Sequence, residues 1–249
     1  MEIYQIEGRN PVKEAISSGR SIDKLFVLKD GDARLGSLVR LANEKKLVVS
    51  EVDRRKLDEM SKTGAHQGII AVCAAVTYVS VDDILDDARE KGEKPLIVIL
   101  DGITDPHNMG AIIRSAAACG AHGVIIPKHR SVGINETVEK ASAGTVSLIK
   151  IAKTVNLSST VEYLKQQGVW IFGTALEPHS RTHFDSDLKD SAALIVGSEG
   201  SGMSRVLKEK CDFLIKIPMS PAVQSLNASV AAGIVLFEAV RQRGSFLND

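Results

Sequence analysis

Asn108 and Arg114 lie six residues apart in NMGAIIRSA, shortly after the apolar run PLIVILD. Glu199 is the one carboxylate in IVGSEGSGMS, set among Gly197, Gly200 and Gly202. Ser225 and Asn227 follow two prolines in IKIPMSPAVQSLNASVAAG. These stretches offer a guanidinium, a carboxylate and several amides and hydroxyls, the groups that bind and orient a polar ligand. Glycine loses more conformational entropy on folding than any other residue. Three of them behind a strand therefore mark either a tight turn or backbone that a ligand approaches closely. Each residue alone has a plainer reading. Asn108, Ser225 and Asn227 suit helix caps, Arg114 a surface position with its stem along a helix, and Glu199 a helix N-terminus. Three such loops behind three strands shift the balance towards a site.

The elements that must position them alternate along the chain. PLIVILD, HGVIIP, SLIKIA, VWIFGTA, AALIVG and FLIKIP read as strands, with helical stretches between most of them and a closing helix in LNASVAAGIVLFEAVRQR. Continuous apolar strands separated by helices indicate a parallel α/β sheet covered on both faces. Ligands of such sheets sit outside the carboxyl ends of the strands, and the three loops leave their strands there, at Asp101, Gly197 and Ile217. One helix is expected to start near Asn108, with Arg114 about a turn and a half into it, and the last helix around Ser225 to Asn227. Upstream, NPVKEAISSG reads as a helix ending at Gly19, ARLGSLVRLANEKK as a second helix, and KLFVLK, LVVSEV and QGIIAVCAAV as strands. The expected organisation is a small α/β domain over 1–76, a linker over 77–94 with room for a short helix in VDDILDDARE, and a larger α/β domain over 95–249.

Composition excludes several classes. The 249 residues carry 31 Lys+Arg against 31 Asp+Glu, which argues against a strongly basic nucleic-acid binder, although the acidic 77–94 segment masks a mild positive excess elsewhere. No apolar run approaches the roughly 18 residues of a membrane helix, and the opening MEIYQIEGRN lacks the pattern of a signal peptide. Three cysteines without metal-type spacing point to a reducing cytoplasm, with neither a disulfide framework nor a metal site. The glycines run G-x-x-G-x-G and no Gly-Lys-Ser/Thr follows, so dinucleotide and triphosphate loops are both excluded.

In order and spacing, NMGAIIRSA, IVGSEGSGMS and IKIPMSPAVQSLNASVAAGI resemble the three motifs of the SpoU (TrmH) family of RNA ribose 2′-O-methyltransferases, across the whole second domain. IEGRNPVKEAI and TGAHQGIIAV resemble the RNA-binding extension of its ribosomal-RNA members. The overall likeness is greatest to those that methylate a guanosine in large-subunit (23S) ribosomal RNA. The resemblance implies a deep trefoil knot, which ordinary topology rules disfavour, a homodimer, and S-adenosylmethionine as methyl donor without a metal. It places Gly197, Ile217 and Leu226 in a cofactor cradle read largely by backbone groups. It gives Asn108, Arg114, Glu199, Ser225 and Asn227 the catalytic work.

A guanidinium is a poor base near neutrality. Arg114 therefore suits a clamp on the substrate phosphate that also stabilises negative charge developing on the 2′ oxygen. Asn108 and Asn227 would orient Arg114 and the ribose, Ser225 would complete the polar rim, and Glu199 would hold Arg114 or sit near the sulfonium. His107 ranks below Arg114 as a base. In the first domain Arg9, Lys13 and His66 are candidate RNA contacts, beside a solvated-surface reading of each. Two alternatives stay open: a tRNA or resistance-type methyltransferase of the same family, which the separate first domain disfavours for the tRNA type, and a catalytically silent rRNA-binding assembly factor, against which the intact motif residues speak.

Overall fold

The computed structural model describes residues 5–17, 22–73 and 76–244. They form two compact units, one from the chain up to Thr77 with Gly133–Glu136, the other from Tyr78–Val132 and Thr137 onward. The expected helix end at Gly19, and Ala74 and Ala75 of QGIIAVCAAV, lie outside the described residues.

The first unit runs β1 (Gln5–Glu7), α1 (Arg9–Ser17), β2 (Ile22–Leu28), α2 (Ala33–Glu44), β3 (Val49–Val52), α3 (Arg54–Met60) and β4 (Ile69–Cys73). Its sheet has the order β1-β4-β2-β3, with β2 and β3 parallel and β4 antiparallel to both β1 and β2. Asp32 and Asp53 cap α2 and α3 through their carboxylates. Val12, Ile16, Leu25, Leu35, Ile69 and Ala71 share one buried cluster.

The second unit continues with α4 (Val81–Glu90), β5 (Leu96–Asp101), α5 (Pro106–Ala118), β6 (Gly123–Pro127), α6 (Glu136–Ala141), β7 (Lys150–Thr154), α7 (Leu157–Gln166), β8 (Trp170–Thr174), β9 (Arg181–Thr182), β10 (Ala192–Gly197), α8 (Arg205–Lys210), β11 (Phe213–Lys216) and α9 (Ala228–Arg243). The sheet order is β7-β6-β5-β10-β8-β11-β9, and every pairing is parallel. Successive side chains of a strand point to opposite faces. Ile97 and Ile99 thus join a cluster with Leu157, Val161 and Leu207, while α5 and α9 pack on each other and on β6 and β10. Two covered faces explain why Leu96 to Leu100 are all buried.

Three expectations need correction. The segment expected as a linker is part of the second unit. Ser80 and Asp83 form a reciprocal capping box, Ile84, Leu85 and Ala88 are buried in the core, and Val79 N donates to Ile151 O. Burying a Leu or Ile contributes about 1.5–3 kcal/mol, which anchors a helix too short to stand alone. SLIKIA becomes a strand only from Lys150, because Thr145–Ser147 form a 3-10 turn. Finally, α5 is capped by Asp105, whose carboxylate accepts from His107 N at 3.0 Å, with Pro106 at the first turn. That leaves the Asn108 side chain free for other bonds.

Candidate active site

The loop after β10 folds back on its own strand. Ser198 and Gly202 exchange backbone hydrogen bonds at 3.2 and 2.9 Å, and Asp101, the last residue of β5, accepts from Ser204 N at 2.7 Å. A Cβ on Gly197 would meet backbone atoms of Gly202 and Met203 at 2.2 Å, so glycine is required there by the fold itself. Gly202 has φ +65° and is needed for the turn. At Gly200 a Cβ would meet nothing within 4 Å. Of the three glycines, only Gly200 is not required by the fold itself.

Behind this loop lies a pocket of about 280 Å³ lined by Gly197, Glu199, Ile217, Ser225 and Leu226 among others. Its size falls near the lower end of small-molecule sites. Glu199 is the single carboxylate among the lining residues, which also include Lys208 and Lys216. Thr174, Ala175 and Leu176, at and beyond the end of β8, form another wall. Lys208 also lines the pocket and donates to Glu177 at 2.7 Å, a hydrogen bond and charge that hold the Glu177 carboxyl below its usual range. Nearby Cys211 is pushed up to about 12, chiefly by burial, and so is no nucleophile near neutrality.

At the pocket rim Asn108, Glu199 and Asn227 form a triangle. Asn108 Nδ2 donates to Glu199 Oε1 at 3.0 Å, and Asn227 Nδ2 donates to Asn108 Oδ1 at 2.9 Å and also to Glu199 Oε1. Asn227 does two jobs: its Oδ1 caps α9 by accepting from Ser229 N and Val230 N, and its amide nitrogen ties the rim. Glu199 and Asn227 are exposed, and Asn108 is half-buried. Arg114 stands apart. It is exposed on α5, and among the described residues it bonds to none of the groups expected to orient it. Six residues at 3.6 per turn carry it roughly 240° round the helix from Asn108.

In the first unit Lys13 is exposed. Arg9 is engaged by Asp32 at 2.8 Å and by Gln67 O at 3.0 Å. His66 is buried, with Nε2 against Asp58 at 2.8 Å and Nδ1 accepting from Gly68 N. Of the candidate RNA contacts, His66 is thus a structural residue. Thr174–Leu176 escaped the sequence reading because their one polar side chain, the Thr174 hydroxyl, donates to Ile195 O at 3.2 Å like an ordinary strand residue; only the position of VWIFGTA as a strand pointed there. Among the described residues no group of three or more His, Cys, Asp or Glu is placed to hold a metal, and no helix is long and apolar enough to cross a membrane.

Comparison with known proteins gives the class. Residues 95–237 match the SpoU rRNA Methylase family, and residues 5–79 match the RNA 2′-O ribose methyltransferase substrate binding family. Such a pairing of modules defines an RNA methyltransferase with its own substrate-binding unit. A Bacillus subtilis (strain 168) protein assigned to the TrmH family of tRNA/rRNA methyltransferases, YacO, is 45% identical over 240 residues, covering 95% of this chain and 94% of that one. A TrmH-family relative from Staphylococcus saprophyticus is 43% identical over 246 residues, covering 98% and 97%. An AdoMet-bound rRNA methyltransferase from Sinorhizobium meliloti superposes with a TM-score of 0.60 at 26% identity, covering 96% of this chain and 87% of that one. The chain belongs to the SpoU (TrmH) family of RNA methyltransferases.

Proposed function

We propose that the protein transfers a methyl group from S-adenosylmethionine to the ribose 2′-OH of a guanosine in 23S ribosomal RNA, the reaction of RlmB, acting in the cytoplasm. The observation that carries this reading is the Asn108–Glu199–Asn227 triangle on the rim of a pocket lined by Gly197, Ile217 and Leu226. When bound, the donor supplies a methyl group on a cationic sulfur. The lining backbone and the apolar side chains of Ile217 and Leu226 hold its body, and Glu199 faces its charge. Asn108 and Asn227 orient the ribose, with Ser225 beside them. Arg114 clamps a substrate phosphate and stabilises negative charge developing on the 2′ oxygen. Alignment of the reactants supplies roughly 7–11 kcal/mol in favourable cases.

The same reading makes residues 1–76 the RNA-binding domain and threads the larger sheet as a deep trefoil knot. It also makes the protein a homodimer. Val230 and Phe237 are 49% and 54% exposed on α9, too much apolar surface for a helix facing water alone. Mapping 2′-O-methyl groups in RNA from a deletion strain tests the function: one guanosine in 23S RNA should lose its methyl group and regain it on complementation. Loss of a tRNA methyl group instead would favour the tRNA alternative. An unchanged map with no calorimetric binding of S-adenosylmethionine would favour the silent assembly factor.

A further inference from the structure

The second unit contains seven arginines, and five have their guanidinium engaged. Arg89, Arg205 and Arg241 pair with Asp86, Glu209 and Glu238. Arg181 lies 4.9 Å over the Phe213 ring, and Arg243 donates to four backbone carbonyls. Arg114 and Arg130 alone have no such partner among the described residues, and both belong to elements that follow the carboxyl ends of β5 and β6. These strands are neighbours in the sheet.

Arg130 sits on the crest of the loop after β6. The loop is pinned on both sides: Lys128 N donates to Thr154 O at 2.6 Å, and Val132 N and Ser131 Oγ both donate to Ile103 O at 3.1 Å. Ile103 belongs to the same short connection that ends at Asp105, the cap of the helix bearing Asn108. Between the pins His129 and Arg130 are exposed, and Arg130 has φ +60°. Glycine or asparagine adopts that left-handed backbone with less strain. A long cation kept in a conformation it disfavours, on an anchored crest beside a site, points to function.

We propose that Arg130 is a phosphate-binding hook that holds the substrate strand where it leaves the reacting ribose, over the exit of β6. This rests on the reading of the site as an RNA methyltransferase centre. A guanidinium matches a phosphate bidentately, and such contacts fix the register of a strand without reading its sequence. Arg130 is a positioning residue: it sets which ribose reaches the Asn108–Glu199–Asn227 rim.

The test uses the full chain with Arg130→Asn, which keeps a residue tolerant of the left-handed backbone while removing the charge, and Arg130→Lys, which keeps the charge. Methyl transfer is measured on ribosomal RNA from the deletion strain, and binding of a single-stranded RNA oligonucleotide is measured at stepped salt. Arg130→Asn should raise KM for RNA about tenfold with kcat and S-adenosylmethionine affinity unchanged, and should lower the slope of log Kd against log salt by roughly 0.7, one phosphate on a single strand. Arg130→Lys should keep most of that slope, and the Tm of Arg130→Asn should equal or exceed that of the wild type. A wild-type KM and slope in Arg130→Asn overturn the hook. If the wild type leaves ribosomal RNA unmethylated while the slope still falls in Arg130→Asn, the hook stands and the functional reading fails.

Discussion

Two loops of this chain are each gathered by the carboxylate that ends a strand, and they have opposite characters. In the first unit Glu7, the last residue of β1, accepts from the Ser61 and Thr63 hydroxyls and from Lys62 N and Thr63 N. The loop turns its polar groups inward onto one carboxylate and onto each other. In the second unit Asp101, the last residue of β5, takes only Ser204 N among the described residues. Glu199, in the loop so anchored, spends Oε1 on two amides, and its other oxygen has no partner among the described residues. The arginines divide the same way: Arg9 is engaged by Asp32 and Gln67, whereas Arg114 is unpartnered among the described residues. A loop that consumes its own polar capacity is scaffold, and one that keeps some unspent has capacity left for a ligand.

The comparison assumes that each unit holds its own loops, and truncation is the severest way to break it. A chain starting at Tyr78 should fold and bind S-adenosylmethionine, while one starting at Pro95 should fail to fold. Exposing the sites of Ile84 and Leu85 removes about 3–6 kcal/mol from a stability of roughly 5–15. Circular dichroism and calorimetry on both chains decide it, and a folded Pro95 chain would return α4 to the status of a tether.

Arg114 should give the next largest effect. Both Arg114→Lys and Arg114→Ala should slow single-turnover methyl transfer at least a hundredfold, about 2.7 kcal/mol, with Tm and cofactor affinity barely moved. Arg9→Ala should do the reverse, costing about 0.2–1 kcal/mol of stability as a partly exposed pair. Near-normal turnover in Arg114→Lys would refute bidentate clamping, and in Arg114→Ala would remove the residue from the mechanism.

The smallest effect concerns Glu7. Burial alone would raise its carboxyl, but the hydrogen bonds from Ser61, Thr63 and Lys62 outweigh it and hold the pKa at about 2, against 4.5 in an open chain. A depressed carboxyl stabilises the fold above its unfolded pKa and loses that contribution as pH falls from about 4.5 towards 2. Discounted for exposure to solvent, this is on the order of 1 kcal/mol. Urea unfolding should show Glu7→Gln weaker than the wild type by that amount at pH 7, with the gap closing in the acid range. A gap independent of pH would show that shape, not charge, organises the loop.

Much of this was legible in the sequence because burial on both faces turns parallel strands into continuous apolar runs, as in Leu96 to Leu100. The lining positions Gly197, Ile217 and Leu226 follow strand exits, which the fold class points to. Other features were hidden for definite reasons. The charge density of VDDILDDARE concealed Ile84, Leu85 and Ala88, whose spacing is that of one helix face. The strands β1 and β9, three and two residues long, carry no periodicity to read. Asn227 read as a cap or as a site residue; it caps α9 and also bonds to Asn108 and Glu199. The separation of Arg114 from Asn108 is a matter of helical phase, since six residues at 3.6 per turn carry it to another side of α5.

Arg243 sets a schedule for synthesis. Its guanidinium, whose pKa burial pulls below the usual value, holds the carbonyls of Lys94, Pro95, Leu188 and Asp190 at the amino ends of β5 and β10. Lys94 precedes it by 149 residues, a gap of roughly 7–30 s at ordinary elongation rates of 5–20 residues per second. During that interval the first unit is completed by Gly133–Glu136, while β5 waits for the side chain that secures it and Asn108 waits for Asn227. A nascent chain therefore carries its substrate-binding module before any methylation centre exists, and a ribosome stalled before Arg243 holds an unfinished enzyme.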